Sequence, residues 1–171
     1  MKKYEFTGET KEIKLLFRTA VLHRIRATVS FGFVKIGDLG GWIEKEENLS
    51  HEGKAWVCGD AEVWGNAKVC GDAKVWGNAE VCGDAKVFSA SHVLVIGAIG
   101  SRNDFTTFYR DKDNEITVKY GCFLGKIDRF LEKVTQTHGD SKYALVYRAA
   151  VEVAKLQIDL SGEAPKDADE E

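Results

Sequence analysis

The sequence predicts a mainly β protein: a β-solenoid of six-residue repeats between an N-terminal β-strand cap and a C-terminal β-hairpin with two α-helices. Three observations predict it. Alanine recurs at 55, 61, 67, 73, 79 and 85, and valine two residues later, at 57, 63, 69, 75, 81 and 87. Gly-Asp or Gly-Asn follows at 59, 65, 71, 77 and 83. Outside the repeat, apolar residues fall first at strand spacing and then at helical spacing.

Each slot of the hexad has a physical reason. Ala, a charged residue, Val and then Trp or Cys make a four-residue strand whose side chains alternate in direction. Ala and Val share a face and read as the interior, while Glu62, Lys68, Lys74, Glu80 and Lys86 point outward. Gly-Asx is corner chemistry, because glycine accepts positive φ and Asp or Asn tolerates the left-handed region. One such unit buries nothing alone, whereas stacked units bury a continuous Ala/Val core.

These hexads resemble the hexapeptide-repeat family, whose left-handed parallel β-helix uses three hexads per triangular coil. The match covers roughly Ala55 to Val93. Coil size stays open between twelve and eighteen residues. Trp64, Trp76 and Phe88 recur every twelve residues, as do Cys58, Cys70 and Cys82. An eighteen-residue coil alternates thiol and aromatic on every face, and the family pattern favours it; a twelve-residue coil separates them into two ladders.

The flanks complete four segments. Residues 1–34 read as short strands, at Tyr4–Phe6, Ile13–Phe17, Val21–Thr28 and Val29–Val34, that cap the solenoid at 35–96. Residues 97–160 read as a hairpin, Phe105–Arg110 and Ile116–Cys122 around the turn Asp111–Glu115, followed by two helices. Ile127, Phe130, Leu131 and Val134 give the first helix its apolar stripe, Gly139 ends it, and Lys142 to Leu156 form the second. Residues 161–171, with five acids, one lysine and the only proline between Glu163 and Glu171, read as a disordered acidic tail.

Composition narrows the function classes. No apolar run approaches the ~20 residues needed to span a bilayer, and no apolar stretch follows the basic start, so the expectation is a cytoplasmic protein without a signal peptide. The basic residues of the first thirty positions are too dilute to read as a nucleic-acid interface. The four cysteines have neither disulfide-framework nor zinc spacing, so reduced thiols, no metal and no cofactor are expected.

Longer motifs carry a second resemblance. The lead-in GDLGGWIEKEENLSHEG (Gly37 to Gly53), IGSRNDFTTFYR (Ile99 to Arg110), GCFLG (Gly121 to Gly125) and THGDSKYALVYR (Thr137 to Arg148) resemble a group of uncharacterised proteins common in phages and prophages. The resemblance implies a phage or prophage origin, hence the host bacterial cytoplasm, and carries no established activity.

Candidate chemistry falls in three places. Ser101-Arg102-Asn103-Asp104 is a donor-rich loop, and Thr137-His138-Gly139-Asp140 is a polar turn expected at a helix N-terminus, where backbone N–H groups attract anions. With Tyr109, Arg110, Lys142, Tyr147 and Arg148, these residues are candidates to bind a phosphate-bearing, nucleotide-like ligand through bidentate arginine contacts. Cys122 reads as a structural thiol. A hexapeptide-repeat acyltransferase using CoA is the enzyme alternative, and its base would be His51 or His92. Trp64, Trp76 and Phe88 form a repeated apolar rim that reads as an oligomer interface.

The expectation is a non-enzymatic, phage-type homo-oligomer, trimer before dimer, that sequesters a nucleotide-like ligand or a host defence protein. A purely structural assembly protein is the remaining alternative.

Overall fold

The computed structural model describes residues 1–161. The acidic tail expected at 161–171 lies, except for Ser161, outside the described residues. The chain forms β1 (Tyr4–Lys14), β2 (Thr19–Ala27) and β3 (Leu39–Ile43), then a short 3-10 helix (Glu46–Asn48). The hexads follow as β4 (Trp56–Val57), β5 (Glu62–Val63), β6 (Lys68–Val69), β7 (Lys74–Val75), β8 (Glu80–Val81) and β9 (Lys86–Val87). After a second 3-10 turn (Ala90–His92) come β10 (Val93–Ile99), β11 (Asp104–Arg110), β12 (Ile116–Tyr120), β13 (Phe123–Lys126), α1 (Ile127–His138) and α2 (Lys142–Gln157).

The β-solenoid expected over 35–96 does not form. The chain is mainly β, 40% strand and 21% helix, divided among several small separate sheets with two helices; a β-helix of regular repeats is not seen. The physical reason lies in the hexad itself. Between one Gly-Asx corner and the next, each unit supplies a strand of only two residues, and six units make ladders only one pair deep. Most strand residues therefore belong to β1–β3 and to the antiparallel sheet β10-β11-β12-β13.

What the hexads do supply is three short parallel ladders. Val57 faces Val75, Val63 faces Val81, and Val69 faces Val87, each three hexads on. Thiol and aromatic therefore neighbour each other on every ladder: Cys58 with Trp76, Trp64 with Cys82, Cys70 with Phe88. The five corner glycines share φ between +59° and +68°, a region that costs an L side chain strain. The alanines and valines of all six units are buried, and each buried valine stabilises the fold by roughly 2 kcal/mol. Glu62 faces Glu80 across its ladder, a repulsive pairing. Lys11 reaches Glu62 at 2.5 Å and Lys119 reaches Glu80 at 3.5 Å, so the flanking sheets neutralise it.

Both ends of the hexad stack are closed by other elements. On one side β3 pairs in parallel with β5 and antiparallel with β2, and Tyr4 donates its hydroxyl to the carbonyls of Leu49 (2.8 Å) and Glu46 (3.0 Å). On the other side β11 crosses beneath β8 and β9. Thr107 Oγ1 accepts from the Glu80 N–H at 3.0 Å. β1 is one eleven-residue strand with an irregularity between Phe6 and Thr10, where the sequence suggested two pieces.

Two apolar cores result. One holds the hexad alanines and valines with Tyr4, Ile25, Trp56 and Tyr109. The other joins Phe108, Val118, Phe130, Val134, Tyr147 and Val151 under the two helices. On β11 the alternation of a strand sends Phe108 into the second core and Tyr109 into the first.

Candidate functional site

The two polar loops of the C-terminal half meet. Ser101 and Arg102, in the turn between β10 and β11, and Thr137 and His138, at the end of α1, line one cavity of about 220 Å³ with Tyr120, Cys122, Phe123, Phe130, Lys133, Val134 and Tyr147. The turn is tight because Gly100 has φ +76° and Asn103 φ +48°, and Asn is among the few side chains that accept that region. Gly100 also leaves room: a Cβ there would lie 1.8 Å from the Tyr147 hydroxyl.

Burial sorts the lining into layers. Phe130, Val134 and Tyr147 are buried and make the floor; Tyr120, Phe123 and His138 are half-buried walls; Ser101, Arg102, Cys122, Lys133 and Thr137 are exposed at the rim. The rings pack closely, with centroids 5.2 Å apart for Tyr120–Tyr147, 5.6 Å for Phe123–Phe130 and 5.7 Å for His138–Tyr147. The Tyr147 hydroxyl donates to the Tyr120 hydroxyl at 2.5 Å. Burial, and then this bond, push the Tyr120 hydroxyl up to about 12, against a smaller opposing pull from Arg102.

The charged lining is Arg102 and Lys133, with the His138 ring beside them and no carboxylate among the eleven residues of the wall. Among the described residues neither Arg102 nor Lys133 has a carboxylate within ion-pair distance. The cations are therefore available to a ligand.

Several expected site residues stand elsewhere. Tyr109 is fully buried and donates its hydroxyl to the Cys82 carbonyl at 2.8 Å; Arg110 is buried with its Nη1 3.1 Å from His92 Nε2. Neither lines the cavity: β11 turns Tyr109 toward the hexads, and Arg110, on the opposite face of the strand, reaches His92. Arg148 bonds Gly139 O at 3.0 Å and Thr135 Oγ1 at 3.3 Å, satisfying the carbonyl end of α1. Lys142 is exposed in the first turn of α2 and does not line the cavity, and Asn103 and Asp104 shape the turn. The turn at Thr137–Asp140 joins the two helices: His138 is the last residue of α1 and Gly139 its C-cap, while Ser141 is the N-cap of α2. Cys122, which read as structural, is an exposed thiol on the rim. Lys133, Tyr120, Phe123 and Phe130 line the cavity but are not among the site residues that the sequence suggests. Helical spacing carries a signal for one of them, since Lys133, Val134, Thr137 and His138 share one face of α1.

The histidines of the enzyme alternative hold the fold. His51 Nδ1 accepts from the Lys3 N–H at 3.0 Å, and its ring stacks on Tyr4 at 4.2 Å. His92 Nδ1 accepts from the Phe88 N–H at 3.1 Å. Burial holds both rings below the ordinary histidine range, and Arg110 adds to this at His92. His51 lines an open trough of about 770 Å³ along the β6–β9 ladder, whose walls mix lysines with Glu46, Glu47 and Asp84. Two of those acids are already engaged, Glu46 by Lys2 at 2.6 Å and Asp84 by Lys112 at 3.0 Å.

The three rim aromatics part company. Trp64 is buried with Leu22, Trp42 and Cys82, and Phe88 is half-buried in the trough. Trp76 alone is exposed, at 50%, stacked on the equally exposed Phe33 at 5.4 Å.

Among the described residues no cluster of three His, Cys, Asp or Glu side chains is arranged to hold a metal ion, and no helix is long and apolar enough to cross a membrane. No family model matches the chain, and no curated protein matches it.

Proposed function

We propose that the protein binds, without chemical conversion, a small anionic ligand of nucleotide-like character in the cavity between the β10–β11 turn, the β12–β13 turn and the end of α1. One observation carries this reading: the charged side chains lining that cavity are Arg102 and Lys133, and no acid accompanies them. Cations next to a low-dielectric floor attract an anion more strongly than the same cations on an open surface. Charge-assisted hydrogen bonds from a guanidinium to phosphate or carboxylate oxygens are about twice as strong as neutral ones.

Native mass spectrometry of protein purified without denaturation tests the reading. A bound anionic small molecule, displaced by AMP and absent from Arg102→Ala and Lys133→Ala, is the expected result. Binding unchanged in both variants would sink it.

A second reading, self-association into a homo-oligomer, is favoured by the exposed Phe33–Trp76 pair. Sedimentation velocity on Trp76→Ser tests it, with a shift toward monomer expected.

A further inference from the structure

We infer that the ligand of this cavity is a single planar aromatic ring bearing one anionic group, and that it enters ring first. The inference rests on reading the cavity as an anion site, and it adds the ligand's shape and its direction of entry.

The layering fixes the direction. The floor is Phe130, 2% exposed, Val134, 4%, and Tyr147, 1%, with no charged group among them. A phosphate or carboxylate pressed onto that floor would lose its hydration with only the Tyr147 hydroxyl, already bonded to Tyr120, to replace it, a cost of several kcal/mol. At the exposed rim the same group meets Arg102 and Lys133, with Ser101 and Thr137 hydroxyls beside them. The anion therefore stays at the mouth, and the apolar part of the ligand goes inward.

The walls fix the shape. Phe123, Phe130, Tyr147, Tyr120 and His138 present rings in tilted, edge-on and stacked arrangements; the planes of Phe130 and Tyr147 cross at 87°. A flat ring inserted among them finds both a face and an edge, the geometries that aromatic pairs prefer. A saturated ring of similar size fills the volume without that match.

The volume fixes the size. A cavity of about 150 Å³ accommodates benzene, and this one measures about 220 Å³, enough for one ring and its substituent. Pockets that enclose drug-sized molecules begin near 300 Å³. The shared chemistry has two sources: the single-ring pyrimidine base and phosphate of a mononucleotide, or an aromatic carboxylic acid.

The experiment is a set of NMR titrations of the full chain with benzoate, cyclohexanecarboxylate, inorganic phosphate and CMP. Benzoate is expected to bind about 3- to 10-fold more tightly than cyclohexanecarboxylate, with the largest shifts at Phe130, Val134 and Tyr147. Phe123→Leu removes one wall ring at a half-buried position and is expected to erase that preference. Tighter binding of CMP than of benzoate assigns the nucleotide source, and the reverse assigns the aromatic acid. Equal affinity for the two ring acids, or shifts confined to the rim, overturns the inference. Inorganic phosphate binding as tightly as benzoate, and lost in Arg102→Ala, would also overturn it while leaving the anion site standing. Binding of none of the four probes would overturn both.

Discussion

The Tyr109 hydroxyl donates a hydrogen bond to the Cys82 carbonyl across 2.8 Å, at the place where β11 closes the hexad stack. Tyr109 is fully buried, so this carbonyl has no water to turn to. Tyr109→Phe keeps the ring and removes the donor. It is expected to destabilise the protein by about 0.5–1.5 kcal/mol, the net contribution of one hydrogen bond, because the Cys82 carbonyl keeps the longer bond from the Ala85 N–H at 3.4 Å. Ligand affinity should be unchanged, since Tyr109 does not line the cavity. Urea denaturation gives the first quantity and the benzoate titration the second; a large loss of affinity would contradict the placement.

Gly100 is required by its neighbour as well as by its own backbone. It has φ +76°, and a methyl group there would lie 1.8 Å from the Tyr147 hydroxyl. Gly100→Ala must strain the turn or displace Tyr147, and with it the bond to Tyr120. A non-glycine residue in that region costs about 1–3 kcal/mol. The expected outcome is a lower calorimetric Tm together with loss of ligand binding. A variant that binds normally would show that Tyr147 is not a fixed wall.

Buried His92 and half-buried His51 give stability a pH dependence of known sign. Burial first, and then Arg110, hold His92 below its ordinary value, and burial does the same for His51. A depressed folded pKa means that the unfolded chain takes up protons first, from its value near 6.5 downward. The contribution is complete above about pH 6.5 and is lost as the pH falls through the folded value, with a slope of at most about 1.4 kcal/mol per pH unit for each histidine. Urea midpoints measured between about pH 7.5 and about pH 5 should fall, and His92→Gln should flatten the curve. A wild-type curve rising on acidification would refute this.

Thiol chemistry separates one cysteine from three. Cys58, Cys70 and Cys82 are each pushed up to about 11, by burial before any other cause, whereas Cys122 stands exposed on the cavity rim. The thiolate is the reactive form. A thiol reagent at neutral pH should therefore label Cys122 within the fast phase and leave the others until unfolding. Cys122→Ser should show no fast phase. Labelling should also compete with benzoate, because both occupy the same opening.

Parts of this structure were legible in the sequence and parts were not. The burial of Ala61 and Val63 and the turn at Gly65 follow from local chemistry, since alternation and a positive φ are properties of a few residues. The extent of the repeat architecture was not legible, because it depends on how many units stack and on what closes them. Trp64 and Trp76 show the limit most directly. Both sit in the local sequence Val-Trp-Gly-Asn, yet Trp64 is buried against Leu22 and Trp42 while Trp76 is exposed. The difference lies in which ladder β2 and β3 cover. The candidate site is similar: Arg102 and His138 were readable as polar turn residues, but their meeting across one cavity depends on α1 folding back over β12.

The division of β11 between the two cores makes its alignment unusually consequential. Phe108 serves one core and Tyr109 the other, so a slip of one residue would exchange them. Phe108 would then face the first core, where the Cys82 carbonyl would lose the tyrosine hydroxyl, and that hydroxyl would turn toward the apolar side chains of the second. Both halves of the molecule would be penalised by the same error, so the strand acts as a shared alignment check: neither core can settle while the other is misaligned.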